Sequence, residues 1–115
     1  MTSAFDVHHL GSEVDPVILV SGEIDISNAA HFAQVLNRSV SNLDHELILG
    51  LSQVTYVDSA GIKVMFELAR RLKDHQQRLL LVVPQGSRIR RSLTLGGLLD
   101  TVEVLEALPP RLSPT

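Results

Sequence analysis

The segment Val54-Thr55-Tyr56-Val57-Asp58-Ser59-Ala60-Gly61 holds the best candidate for chemistry in this chain. An apolar run ends in two polar residues, a small residue and a glycine, and an amphipathic stretch follows at once. A strand handing over to a helix at this point sets the Ser59 hydroxyl on the surface, at a helix N-terminus. Free backbone N–H groups at a helix start favour negative charge, a phosphate included. Helix capping by Asp58 or Ser59 accounts for the same residues structurally, and a capping serine is still open to modification. A hydrolytic Ser59 finds less support. The Gly-x-Ser-x-Gly turn is absent around it, and no histidine is spaced to mark a triad.

A second segment, Gly22-Glu23-Ile24-Asp25, joins an apolar run to another amphipathic stretch. Glu23 and Asp25 either turn the chain and cap a helix or project towards a partner near Ser59. As an acid–base pair they lack a nucleophile and sugar-stacking aromatics, which argues against glycosidase chemistry. Arg88, Arg90 and Arg91 form the densest basic patch. It reads as a solvated helix face, or as a contact for phosphate, a lipid headgroup or an acidic partner. No Gly-x-x-x-x-Gly-Lys-Ser/Thr loop accompanies it. His8, His9, His31, His45 and His75 are scattered, and none completes a His-Glu-x-x-His pair. No metal or cofactor is expected.

The elements that must position these residues follow from periodicity. Phe5 to Leu10 reads as a first strand, with Glu13, Asp15 and Pro16 as a charged turn. Val17 to Ser21 has the β-branched content of a buried strand, closed by Gly22. Asp25, Ser27 and Asn28 are candidate caps for a helix from about Ala29 to Val40. Its apolar stripe is Ala29, Phe32, Ala33, Leu36 and Val40. Glu46 to Leu51 reads as the next strand, and Val54 to Val57 leads into the Asp58 segment. Gly50 inside that strand costs stability unless a close backbone approach requires it. A second helix runs from about Ala60 to Asp74, with Ile62, Met65, Phe66, Ala69 and Leu72 inward, and with Val64 and Leu68 broadening the apolar face as part of either core or interface. Lys63–Glu67 and Glu67–Arg71 have the spacing of helical charge pairs.

Leu79 to Val83 is almost continuously apolar, as in a central strand covered on both faces. Ser87 is placed to cap a short helix from Arg88 to Leu95 that ends at Gly96 and Gly97. Thr101 to Leu105 suits a short or edge strand. Pro109, Pro110 and Pro114 argue for a frayed tail. The alternation predicts an α/β fold.

Composition bounds what these elements can do. A chain of 115 residues with 44% hydrophobic and 20% charged content is expected to form one globular domain. With 10 Lys plus Arg against 13 Asp plus Glu, the formal charge of −3 argues against a generally basic nucleic-acid binder. The absence of cysteine excludes disulfides, thiolate catalysis and Cys-ligated zinc. One Tyr, three Phe and no Trp leave almost no stacking platform for bases. The start Met1-Thr2-Ser3-Ala4-Phe5-Asp6 lacks the pattern of a secretory signal, and no apolar run is long enough to span a bilayer. A cytoplasmic protein without membrane insertion is expected.

These residues also carry a resemblance to the STAS family, specifically to anti-sigma factor antagonists (anti-anti-sigma factors) of the SpoIIAA-like type. The matching pieces are Val20-Ser21-Gly22-Glu23-Ile24-Asp25, the run from Leu47 to Ile62 that includes Asp58-Ser59-Ala60-Gly61, and Leu93-Thr94-Leu95-Gly96-Gly97-Leu98. The resemblance as a whole covers roughly residues 5–108. The resemblance implies a single STAS domain over 1–115, an α/β fold whose mixed sheet carries helices mainly on one side. It implies a phosphorylation-controlled partner switch. The unmodified form binds an anti-sigma factor serine kinase and frees the sigma factor. Phosphorylation releases the kinase, and a phosphatase of the PP2C type restores binding.

The phosphoacceptor position of the family falls on Ser59, with Gly22, Glu23, Asp25, Asp58, Ala60, Gly61 and Lys63 bordering the partner face. The protein is then a substrate of enzymes rather than an enzyme, and a monomer is favoured. Gly50 stands where the family often has Asp or Asn, Ala60 replaces a frequent second serine, and Lys63 replaces a small residue. The competing readings are a non-switching STAS scaffold, an accessory subunit of a transport system, and a small nucleotide-binding or hydrolytic protein.

Overall fold

The expected alternation of strands and helices is what the chain adopts. The computed structural model describes residues 4–12 and 14–110. It contains strands β1 (Phe5–Gly11) and β2 (Pro16–Ile24), helix α1 (Ala29–Ser39), strand β3 (Glu46–Val57), helix α2 (Ser59–Asp74), strand β4 (Arg78–Val82), helix α3 (Arg90–Leu95), a 3-10 turn at Leu98–Asp100 and strand β5 (Glu103–Leu105). Glu13 and the tail beyond Pro110, with Pro114, lie outside the described residues. The five strands form one sheet in chain order. β1 pairs antiparallel with β2, and every later pairing is parallel. Each parallel step needs a crossover, and α1, α2 and α3 with its 3-10 turn supply the three in succession.

Alternation along the strands divides the core in two. Ile18, Val20, Leu47, Leu49, Leu51, Leu79, Leu81 and Val83 face Phe32 and Leu36 of α1 and Met65, Leu68 and Leu72 of α2. Val17, Ile48, Leu80 and Val82 form a smaller cluster with Leu10, Leu19, Leu105 and Leu108 packed against it. Both faces of β4 are therefore apolar, which explains the unbroken run from Leu79 to Val83. The helices pack on the larger face, as the resemblance implies.

The inward stripe of α2 is the one read in the sequence: Ile62, Met65 and Leu72 are buried, Phe66 and Ala69 pack half-buried against the same core, and Leu68, which broadens that face, is a core residue at 4% exposure. Two local expectations give way to packing. Arg71 does not pair with Glu67. Its Nη1 donates to Asn37 Oδ1 of α1 at 2.6 Å, a bond that ties the two helices together. Ser87 does not cap α3. The residue before α3 is Ile89, and Ser87 sits in a preceding turn where its N–H donates to Pro84 O and its carbonyl accepts from Arg90.

β3 is a single strand of 12 residues that runs straight through Ser52-Gln53. Its pairing with β2 slips between Leu19 and Ser21 and again between Gly22 and Glu23. These irregularities let both Val54 and Val57, an odd number of residues apart, reach the helix-side core. Gly50 faces the smaller cluster, where a Cβ would stand 2.7 Å from Leu19 Cδ2. A neighbouring leucine thus occupies the space that a side chain would need. At the opposite end of the sheet, the Arg78 guanidinium lies 2.8 Å from Glu46 and 3.6 Å from Glu103, joining the starts of β3, β4 and β5. The hydrogen bond and charge of Glu46, then the charge of Glu103, raise the Arg78 pKa above its ordinary value.

Candidate functional site

The parallel strands β2 and β3 end side by side, with Ile24 paired to Val57. The loops leaving them therefore meet, and this is where Gly22–Asp25 and Asp58–Gly61 come together. Parallel α/β sheets gather their functional loops at the C-terminal ends of the strands in the same way.

Asp58 is the joint. It is the N-cap of α2 in extended backbone, and its Oδ1 accepts from Ala60 N at 2.9 Å and Gly61 N at 3.2 Å. Its Oδ2 accepts from Ile26 N at 3.2 Å, and its own N–H donates to Ile24 O at 3.1 Å. One side chain thus starts α2 and fastens the β2–α1 loop to it. Ser59 is the first residue of α2 and is exposed. The helix start therefore reaches Ser59 mainly as a field, because Asp58 already occupies the N–H groups of Ala60 and Gly61. The sequence suggested free donors for a phosphate there. The acidic cap has taken two of them.

Gly61 explains why α2 can begin so close to the sheet. A Cβ at this position would stand 2.7 Å from Val57 Cγ2 and 2.8 Å from Ile24 Cγ2. The glycine is buried and sets the shape of the site, while Lys63, half a turn on, is exposed and lies 4.0 Å from Glu67. Gly22 has a similar structural necessity. Its φ is +99°, and a Cβ would run into the Ala4 carbonyl oxygen. That carbonyl accepts from Glu23 N at 2.9 Å, anchoring the loop to the edge of the sheet.

Beyond Gly22 the loop is built from its own polar groups. Asp25 Oδ1 accepts from Ser27 N at 2.8 Å and from the Ser27 hydroxyl. Asn28, at the N-cap position of α1, accepts from Asp25 N at 3.0 Å and donates to Glu23 O at 2.9 Å. The three candidate caps therefore fold the loop instead: Asn28 holds the N-cap position, but its side chain makes no capping bond to α1. This network holds Ile26 81% exposed, directly against the Asp58 carboxylate that binds its N–H. Leu95 of α3 is 76% exposed and precedes Gly96, whose Cβ position lies 3.2 Å from Ile62 Cδ1 in the first turn of α2. Ile26 thus sits at the start of α2 next to Ser59, and Leu95 belongs to the segment that meets Ile62 in the first turn of α2. The sequence carried a signal for Ile26, an isolated apolar residue between Asp25 and Ser27 outside any helical stripe.

The remaining sequence candidates lie elsewhere. Arg90 leaves the basic patch, since its Nη1 donates to Val83 O at 2.6 Å; Arg88 and Arg91 stay exposed. His8 and His9 are on β1, the His31 ring lies tilted against Phe5 with centroids 5.3 Å apart, and His45 and His75 lie near the far end of the sheet. Among the described residues no group of His, Asp and Glu could hold a metal ion. No helix among them is long and apolar enough to cross a membrane.

Comparison with known proteins places this geometry. Residues 9–111 match the STAS domain family. The anti-sigma-F factor antagonist RsfB of Mycobacterium tuberculosis is 29% identical over 97 residues, covering 84% of this chain and 78% of that protein. The crystal structure of an anti-sigma factor antagonist from Mycobacterium paratuberculosis superposes with a TM-score of 0.79 at 25% identity, over 91% of this chain and 88% of the other. The anti-sigma factor antagonist SpoIIAA in its unphosphorylated form gives a TM-score of 0.70 at 18% identity, over 89% of this chain and 88% of the other, and shares the fold.

Proposed function

The chain belongs to the STAS domain family, and on that premise we propose that it is an anti-sigma factor antagonist switched by phosphorylation of Ser59. The observation that carries the proposal is the placement of an exposed serine as the first residue of α2, where the Asp58 cap fastens the loop of the exposed Ile26 beside it. RsfB and the Mycobacterium paratuberculosis protein, both named as antagonists of this kind, support the general role. SpoIIAA, solved in both an unphosphorylated and a phosphorylated form, lends the switch a precedent on the same fold.

In the unmodified state, the exposed Ile26 next to Ser59 and the exposed Leu95 of α3 offer apolar surface to desolvate, and Glu23, Asp25 and Lys63 give polar contacts. The partner is an anti-sigma factor serine kinase, and its capture frees the sigma factor. The kinase then transfers the γ-phosphoryl group of ATP to Ser59 Oγ. The P–O bond to ADP breaks, the new P–O bond forms, and the hydroxyl proton leaves. The product carries about −1.5 to −2 additional charge at neutral pH. Solvent and the field of α2 accommodate that charge on the free domain. In a packed interface the same group is bulky, beside the Asp58 carboxylate, and must be stripped of water. A loss of a few kcal/mol lowers affinity by two or more orders of magnitude, since about 1.4 kcal/mol is tenfold. A phosphatase of the PP2C type hydrolyses the phosphoester and resets the switch. No catalytic step is assigned to this chain.

Mass spectrometry after incubation with the cognate kinase and ATP is expected to find phosphate on Ser59. Ser59→Ala is expected to abolish that modification and keep most of the binding, and Ser59→Asp to bind less well. Phosphate on another residue, or equal kinase binding before and after modification, overturns the mechanism.

A further inference from the structure

The C-terminal half of α2 overhangs the starts of β4 and β5 at the edge of the sheet. Beneath it lies a groove of about 520 Å³ between α2, the start of β4 and the start of β5, a size typical of small-ligand sites. Phe66, Ala69, Arg70 and Lys73 line one wall. Their i, i+3, i+4, i+7 spacing puts them on a single helix face. Leu79 and Val102 give the groove an apolar floor and opposite wall.

The charges around this groove are unequal in their freedom. Arg78 is already held by two carboxylates, Glu46 at 2.8 Å and Glu103 at 3.6 Å, which more than balance its charge. Glu67 lies 4.0 Å from Lys63. Arg70 and Lys73 are exposed and form no ion pair within the described residues. An apolar trough thus opens under two uncommitted cations. Lys73 stands about 20 Å along the helix from Ser59, at 1.5 Å per residue, so the groove is separate from the switch.

We propose that this groove binds a small amphipathic anion, an acyl or aryl carboxylate, with its apolar part on Phe66, Ala69, Leu79 and Val102 and its carboxylate at Arg70 and Lys73. The inference stands independently of the Ser59 switch. Two chemical demands select the class: the floor is too apolar for a fully hydrated anion, and the charges on the rim that lack an ion pair among the described residues, Arg70 and Lys73, are both cationic, whereas the rim carboxylates Glu67 and Glu103 are paired.

The test is a methyl-detected NMR titration of the whole chain with decanoate below its aggregation concentration, beside decyltrimethylammonium as the charge-reversed control. Saturable shifts of Ala69, Leu79 and Val102 methyls with decanoate are expected, with at least tenfold weaker binding of the cation. The doubly substituted Arg70→Gln, Lys73→Gln protein is expected to bind decanoate at least tenfold more weakly with an unchanged melting temperature. Ala69→Leu, which fills the groove without touching charge, is expected to block decanoate. Methyl signals that do not move, equal binding of the two amphiphiles, or undiminished binding by the glutamine variant overturns the proposal.

Discussion

Replacing the Asp58 carboxylate removes acceptors for Ala60, Gly61 and Ile26 together. N-cap loss costs about 0.5–2 kcal/mol, and a lost bond to a charged acceptor adds to it. Asp58→Ala is therefore expected to destabilise the chain by roughly 1–3 kcal/mol in urea denaturation, on the scale of those two effects. It should also release the Ile26 loop, seen as faster exchange of the Ile26 amide. An unchanged exchange rate there counts against the joint. Asp25 needs a more careful substitution, because its carboxylate also organises the turn through Ser27. Asp25→Lys is expected to weaken kinase binding in a calorimetric titration. Asp25→Asn keeps an acceptor for Ser27 N while removing the charge. Weak binding by both variants assigns the effect to charge at the partner surface. Full recovery by Asn assigns it to loop shape and removes Asp25 from the interface.

At the scale of elements, the position of α2 over the sheet depends on Gly61. A methyl group there meets Val57 and Ile24 at under 3 Å, so the helix start must lift or the valine must turn. Gly61→Ala is expected to cost about 1–3 kcal/mol, the range for overpacking a filled core, and to shift the Ile24 and Val57 methyl resonances. A neutral outcome by thermal melting would show that the contact relaxes freely. The strands and helices around this contact were legible in the sequence because burial leaves a period. Alternation or continuous apolar runs mark the strands, and spacing of three or four marks the helices. What escaped depends on partners distant in sequence. Nothing near Arg90 announces that its guanidinium will bind the Val83 carbonyl, or near Arg71 that it will choose Asn37 over Glu67. The pairing slips that turn both Val54 and Val57 inward belong to β2 as much as to β3. Asp58 was readable as a cap, whereas its bond to Ile26 spans 32 residues and exists only in the fold.

Across the whole molecule, the proposed switch and the core are mechanically separate, and stability measurements can show it. Ser59 is exposed, and its neighbours Asp58 and Ala60 already have their hydrogen bonds without its side chain. An acidic residue in the first turn of a helix gains about 0.3–1 kcal/mol from the helix field, and repulsion from Asp58 opposes that gain. Ser59→Asp is therefore expected to change stability by less than about 1 kcal/mol, which at this size is at most roughly 4–8 °C in melting temperature. Leu81, by contrast, is fully buried on the helix side of β4, in the cluster that joins α1, α2 and the sheet. Leu81→Ala leaves a cavity in that cluster, at a cost of about 2–5 kcal/mol, against a total stability on the order of 5–15 kcal/mol. Its melting temperature is expected to fall by about 8 °C or more by the same scaling. The two variants should then part in opposite ways. Leu81→Ala binds the kinase normally at a temperature where it remains folded, and Ser59→Asp stays folded but binds poorly. Parallel calorimetric melts and kinase titrations decide the matter. Should Ser59→Asp melt as early as Leu81→Ala, added charge at Ser59 acts by loosening the domain, and obstruction of the interface is no longer the explanation for release.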